Sequence, residues 1–454
     1  MNELTQAVLD YFRQISAIPR QSGNEKGMQD YLVDFAKKRN LPFYQDEFYN
    51  VIIYKKTADV EPIILQAHTD MVYVTKTNPY KAKQRKGIKL IEKNNWLYAK
   101  DTTLGADDGI GVALILAILD LDIPCNIEAV FTATEETTMQ GAYNLDVSQL
   151  KSKKLICLDG FEGNAVVVSS ASFTDFLVEF DNGTTNLPIQ DYHYYNIEIN
   201  GLLGGHSGFD IDKKRGNSHQ LMSELLKRLP DAILGRMVGG YQYNVIPTNS
   251  MVVIATTADE TTVKAVVEAF VKEKSKLSPL FRISTTPIER PIKPLKNSEN
   301  LLNFLTEFNY GVLQKDDQNN VVVSQNLSEI NTDKGTIKIG LRSNLKHEWD
   351  VMVADLQALC EKHHLGWKIM DRQPEFNTLH NSSLLADLQR ANPDAKKIKM
   401  HIGVECGIFQ SHMPGLDAVI ISPTIIGAHS VSEKLDLNSV ELTANWLKAY
   451  LTQN

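Results

Sequence analysis

The sequence predicts an α/β domain, a mixed sheet flanked by helices, interrupted by an inserted α+β domain. Three observations lead there. From the N-terminus to about Val168, helical and strand patterns alternate, which favours a sheet with helices on its faces. Beyond about Asp181 the texture changes to half-buried strands mixed with amphipathic helices. After roughly Trp367 the strand "DAVIISP" again runs towards a polar end, so the last segment is expected to rejoin the first sheet. The expected domains are 1–185 with 372–454, and 186–371 between them. A chain of 454 residues is long for a single core, which also favours two domains.

The elements follow in order. Leu4, Val8, Tyr11, Phe12 and Ile15 recur at helical spacing and predict an amphipathic helix ending before Pro19. "YLVDFAKK" reads as a second helix, and "NVIIYK" and "PIILQA" as strands. "GIGVALILAILDL" reads as a buried helix of ordinary length, and "NIEAVFTAT" and "KLICLDG" as further strands. In the insertion, "DYHYYNIEING", "NSMVVIATTA", "VVVSQNLSEI" and "TIKIGLRSN" alternate like strands, and "SHQLMSELLKRL" and "TVKAVVEAFVKEK" read as helices. "SVELTANWLKAYL" is expected to be the final helix.

Composition narrows the function classes. The chain is 43% hydrophobic and 22% charged, as soluble globular proteins are. Its net charge is −8 and it has no strongly basic block, which argues against nucleic acid as a partner. The N-terminus lacks a basic start followed by an unbroken apolar core, so no secretory signal is expected. No run approaches bilayer-spanning length, so no membrane association is expected. Cys125, Cys157, Cys360 and Cys406 are far apart and form no C-x-x-C. They suggest a reduced compartment, with cytoplasm as the default, and neither a disulfide framework nor a thiolate zinc site.

Polar residues gather where strands should end. In "IILQAHTDMV", His68 and Asp70 point the same way if the strand continues through them, like a metal ligand and its supporting group. A polar strand end facing water is the competing explanation. "DTTLGADDGIG" puts Asp107 and Asp108 between glycines before the apolar helix. "FTATEETTMQGA" supplies Glu135 and Glu136, "CLDG" supplies Asp159 and "GAHS" supplies His429. Each has a plain alternative: Asp108 as a helix cap, the glutamates as wet surface, Asp-Gly as a turn. Their joint placement at sheet ends, where such sheets bind ligands, favours a shared site. Nitrogen and oxygen donors without sulfur suit Zn²⁺, with Mn²⁺ or Co²⁺ as substitutes. Five ligands exceed the needs of one catalytic zinc and suit two ions about 3.5–4 Å apart that share a carboxylate. A spare glutamate could then take a proton from water.

The motifs "LQAHTDMV", "TTLGADDGIG", "ATEETTMQGA", "LICLDG" and "ISPTIIGAHSVSEKL" closely resemble those of the two-zinc metallopeptidases of the carnosinase and aminoacylase group, in particular its aminoacyl-histidine (Xaa-His) dipeptidase branch. The resemblance runs nearly end to end. It implies that His68 and Asp159 hold one zinc, that Glu136 and His429 hold the other, and that Asp107 bridges them. It implies Asp70 as the residue orienting His68 and Glu135 as the general base. Relatives often carry Asn where this chain has Asp108.

The same resemblance implies that the insertion is a lid and dimerisation domain, and that the protein is a homodimer with shared sites. His206 in "GLLGGHSGFDI" would help stabilise the tetrahedral oxyanion in the partner's site. Asn244 in "YNVIP" and Arg342 in "GLRSN" resemble substrate-binding positions, and a guanidinium fork suits a free C-terminal carboxylate. Glu405 in "HIGVECGIF" is expected to face the substrate's amino end. The implied activity is metal-dependent hydrolysis of small peptides, either Xaa-His or broad-specificity dipeptides. The alternatives are an N-acyl amino acid deacylase or tripeptidase on the same scaffold and, more remotely, a non-catalytic metal-binding dimer.

Overall fold

The computed structural model describes residues 2–77, 82–187, 191–289 and 292–453. The chain forms two compact units. One comprises Met1–Ser169, Phe376–Met400 and Val404–Asn454; the other comprises Ser170–Glu375 and His401–Gly403. The second is thus inserted in the sequence of the first.

The first unit is built on a mixed nine-stranded sheet. Its centre is four mutually parallel strands in the order Ile127–Thr132, Ile63–His68, Lys154–Cys157, Asp417–Ile420. Antiparallel partners flank them: Val51–Lys55 beside Ile127–Thr132, and Ala165–Ser170 beside Asp417–Ile420. Three of the central strands are buried along their whole length and Lys154–Cys157 from Leu155 onwards, as the apolar runs require of a sheet covered on both faces. Register decides where the site falls. His68 pairs with Thr132 and Gln66 with Cys157, so two strands end level and the third ends two residues short of them, which brings Asp159 to the same edge.

Helices Glu3–Ser16, Ala106–Asp120 and Leu437–Gln453 share this unit's core with the sheet. Leu4, Val8, Tyr11, Phe12 and Ile15 are all buried, and the first helix stops three residues before Pro19. Every residue from Ala106 to Leu119 is buried, which explains a helix with no polar stripe. A smaller four-stranded sheet joins Leu90–Lys93 and Trp96–Ala99 to Lys434–Asp436 and Ile425–Ile426. The sequence reading did not anticipate its first two strands: Leu90–Lys93 is mostly exposed, and Trp96–Ala99 buries only Leu97.

The second unit has its own nine-stranded sheet, in which every recorded pair is antiparallel. Helices Ser218–Leu226, Glu260–Lys274, Ser298–Glu307 and Lys346–Lys362 supply apolar residues to its core. Among the described residues, no helix is long and apolar enough to cross a membrane.

His219 is fully buried in this unit, with Nδ1 3.3 Å from Ser250 Oγ. Burial pushes its pKa down to about 3, against about 6.5 in an unfolded chain. Between those values the unfolded chain binds the extra proton. The stability His219 contributes is therefore complete above about pH 6.5 and is lost as pH falls towards 3. In urea titrations, His219→Gln is expected to reduce the slope of stability against pH between 6 and 4 by up to about 1.4 kcal/mol per pH unit. An unchanged slope contradicts this.

Candidate metal centre

The four parallel strands end at one edge, and each leads to a polar residue there. Ile63–His68 ends on His68 itself. Ile127–Thr132 leads to Glu135 and Glu136, Lys154–Cys157 to Asp159, and Asp417–Ile420 to the segment carrying His429. The remaining contribution comes from the start of helix Ala106–Asp120. Gly105 precedes it with φ +69°, a conformation that favours glycine. Asp107 and Asp108 keep non-helical backbone angles, and the bond between them is cis.

The two aspartates do different things. Asp108 accepts from the Gly111 N–H at 3.2 Å and from the His68 N–H at 3.2 Å. It therefore caps the helix and pins the strand end. Asp107 stands between two histidines: its Oδ1 is 3.1 Å from His68 Nε2 and its Oδ2 is 3.1 Å from His429 Nε2. His429 Nε2 is also 2.9 Å from Glu136 Oε2. On the other side of the His68 ring, Nδ1 is 3.4 Å from Asp70 Oδ1. Asp70 also accepts from the backbone N–H groups of Glu135 at 3.0 Å and Glu136 at 3.3 Å. One buried carboxylate thus steadies a histidine and shapes the glutamate turn.

Potential ligand atoms fall into trios, each within 4.8 Å: His68, Asp107 and Asp159; Asp107, Glu136 and His429; and His68, Glu135 and Glu136. The first two share Asp107. This donor set fits divalent cations of the kind bound by imidazole and carboxylate.

The electrostatics agree with the fit. Burial, reinforced by Asp107, pushes the Asp159 carboxyl up to about 8. Burial also holds Glu135 well above the usual carboxylate range, with Asp159 and Glu136 adding to the effect. Against the cost of burial, Glu136 and Asp107 push His429 up to about 12. Negative charge is concentrated here beyond what two imidazoles balance, as a cation site requires.

Glu405 lies beneath the cluster and is 1% exposed. Its Oε2 accepts from Gln66 Nε2 and from the Thr132 hydroxyl, both at 2.6 Å. His206, Asn244 and Arg342 belong to the second unit and lie close to one another there. Strands Gly205–His206 and Val245–Ile246 pair, and the Ser207 N–H donates to the Asn244 carbonyl at 2.8 Å. Arg342 Nη2 is 3.4 Å from His206 Nε2, and its Nε donates to Ser207 Oγ at 3.3 Å. The guanidinium lies 4.2 Å from the Phe173 ring centroid. Burial lowers its pKa to about 9, and among the described residues no carboxylate is within ion-pair distance. It is a buried cation suited to an anionic ligand.

Comparison with known proteins settles the family. The model of peptidase family M20/M25/M40 matches residues 64–453. The chain belongs to this family. As an M20/M25/M40 member, it is a peptide-bond hydrolase. It is 29% identical, over 97% of its length and 96% of the relative's, to the cytosol non-specific dipeptidase of Escherichia coli (strain K12). Among solved structures it resembles the aminoacylhistidine dipeptidase from Vibrio alginolyticus, with TM-score 0.83 and 26% identity, covering 100% of this chain and 98% of the other. A Staphylococcus aureus tripeptidase shares the fold, with TM-score 0.52 and 16% identity over 99% and 98% of the two chains.

Glu433 and Ser22, which contact this cluster, escaped the sequence reading. The Glu433 carboxylate accepts from the N–H groups of Leu104 at 2.7 Å, Gly105 at 2.9 Å and Ala106 at 2.8 Å. It stabilises the helix start that presents Asp107, where unpaired N–H groups favour an anion. Ser22 donates its hydroxyl to Asp70 Oδ2 at 2.7 Å, and lies before the stretch matched by the family model. Glu433 sits inside the quoted "GAHSVSEKL", but nothing in one sequence distinguishes it from a surface acid.

Proposed function

We propose that the protein is a dipeptidase acting on Xaa-His or a broader range of dipeptides, with two zinc ions held by this cluster. The observation that carries the reading is Asp107, one carboxylate with a different histidine on each oxygen, in a chain of a peptidase family. We assign His68 and Asp159 to one ion, Glu136 and His429 to the other, and Asp107 to both. Two dipeptidases among the relatives support the substrate class.

Bound cations would polarise the scissile carbonyl and acidify the attacking water. Glu135 takes the proton from that water and delivers it to the leaving amine. Asp70 holds the His68 ring in the orientation and tautomer that leave Nε2 free to ligate. His206 donates to the developing oxyanion in the partner's site. Arg342, with Asn244 near it, receives the free carboxylate of the dipeptide. We place Glu405 in the floor of the site, because Gln66 and Thr132 already occupy Oε2 and the residue is buried. The reading includes a homodimer, and it includes a cytoplasmic location, which four free, buried cysteines and the cytosolic relative support.

The test is a panel of dipeptides, β-alanyl-histidine included, with tripeptides, N-acyl amino acids and C-terminally amidated dipeptides, on protein of defined metal content. Free-carboxylate dipeptides are expected to be preferred. Arg342→Lys should raise their KM by about 10–100-fold, the equivalent of a lost charged hydrogen bond, while barely affecting amidated ones. Preference for N-acyl amino acids or tripeptides would overturn the dipeptidase reading.

A further inference from the structure

We propose that Arg20 is a positioning residue of the metal centre, tying the strand end that carries His68 and Asp70 to the turn that carries Asp107. The proposal rests on the metal-centre reading above and adds a residue upstream of the stretch matched by the family model. Arg20 is 1% exposed, although it carries a long cationic side chain. Its Nη1 donates to the carbonyls of Thr69 at 3.1 Å and Asp70 at 2.9 Å. Its Nη2 donates to the carbonyl of Gly105. One planar fork therefore grips two turns that lie more than thirty residues apart in the chain. The Asp107 turn is held on both sides, by Arg20 through a carbonyl and by Glu433 through N–H groups.

The glycines around the aspartate pair give a second, independent sign. A Cβ on Gly105 would lie 2.6 Å from Arg20 Nη2. A Cβ on Gly109 would lie 2.4 Å from Nη2 and 3.1 Å from Cζ. The "GADDG" pattern thus leaves room for the guanidinium on both sides of the acidic pair. Lysine could supply the charge but not the fork, so it could not hold both turns. The backbone is fixed next to the guanidinium as well: the Arg20 N–H donates to Gln84 Oε1 at 2.8 Å, and the Ser22 hydroxyl reaches Asp70. The separation of His68 Nε2 from the Asp107 carboxylate is set by these contacts, and with it the ligand geometry.

The experiment uses the full-length protein, its Arg20→Lys and Gly109→Ala variants, and the double variant. Gly109→Ala leaves Arg20 in the sequence but places a methyl group where the guanidinium lies. Each is titrated with Co²⁺ to give affinity and the d–d absorption spectrum, and assayed at saturating metal. Folding is checked by circular dichroism. Both single variants are expected to bind Co²⁺ about 10–100-fold more weakly, with an altered spectrum. Their kcat should fall by a similar factor and their KM should stay within about threefold. The double variant should be no worse than Arg20→Lys, because both changes act through one group. Folded variants with wild-type affinity and spectrum, or additive losses in the double variant, overturn the proposal. If Arg20→Lys does not fold, Gly109→Ala alone decides. Wild-type protein that binds no Co²⁺ refutes the metal-centre reading itself. Tight wild-type binding with unchanged variants refutes only the role of Arg20.

Discussion

Glu135→Gln is expected to retain its metal ions and lose about 10²–10⁴-fold in kcat, with KM little changed. The substitution preserves shape, and the backbone N–H that donates to Asp70 Oδ1 at 3.0 Å is untouched, so the turn should hold. What disappears is an oxygen able to accept a proton. In the absence of cations, burial and the neighbouring Asp159 and Glu136 keep the Glu135 carboxyl well above the ordinary range. The competing possibility is specific. His68, Glu135 and Glu136 also form a trio of ligand distance, so Glu135 has a geometric claim to be a ligand. Metal analysis separates the two. Loss of turnover with full metal content supports the base; loss of metal with activity supports the ligand. Turnover within tenfold of wild type refutes both.

The site was legible where chemistry coincides with strand ends. His68, Glu135, Glu136 and Asp159 each follow an apolar run, and a parallel sheet collects such ends at one edge. His429 was found the same way, through "DAVIISP", although the strand itself is only Asp417–Ile420. The α/β class with an inserted α+β unit followed from alternation and its interruption. Residues acting through the backbone were not legible. Arg20 donates to three carbonyls and Glu433 accepts from backbone N–H groups, and neither kind of contact leaves a side-chain motif. Glu405 was placed by its motif, but it starts helix Glu405–His412 and its carboxylate is satisfied by Gln66 and Thr132, which come from two strands distant in sequence. Strand Gly366–Gln373 escaped notice because neither of its faces is buried: Gly366 to Asp371 are all exposed, so the run carries no two-residue period.

Chelation is expected to abolish hydrolysis, destabilise the first unit and be reversed by Zn²⁺. The cause is the charge already described. Without cations, the buried carboxylates can be accommodated only by holding protons, and Asp159, pushed up to about 8, does so at neutral pH. His429 keeps its proton against Glu136 and Asp107 in the same way. A cation must displace these protons to reach the ligand atoms, so binding releases protons and weakens as pH falls below neutrality. Calorimetry in buffers of different ionisation enthalpy reads the release directly. At a metal concentration about 100 to 1,000 times Kd, each ion adds about 2.7 to 4.1 kcal/mol to stability. For a unit of this size each kcal/mol shifts the melting midpoint by about 2–4 °C, so chelation should lower it by roughly 5–16 °C for each ion removed. Hydrogen exchange should accelerate first at the amides of Leu104 to Asp107 and of Glu135 and Glu136, whose backbone is fixed by Glu433 and Asp70 around the ligands. All the ligand trios found among the described residues lie in the first unit, so exchange in the strands of the second should be unchanged. A chelated protein with wild-type turnover and an unshifted midpoint would show that the acidic cluster holds no ion that matters to the fold or the reaction.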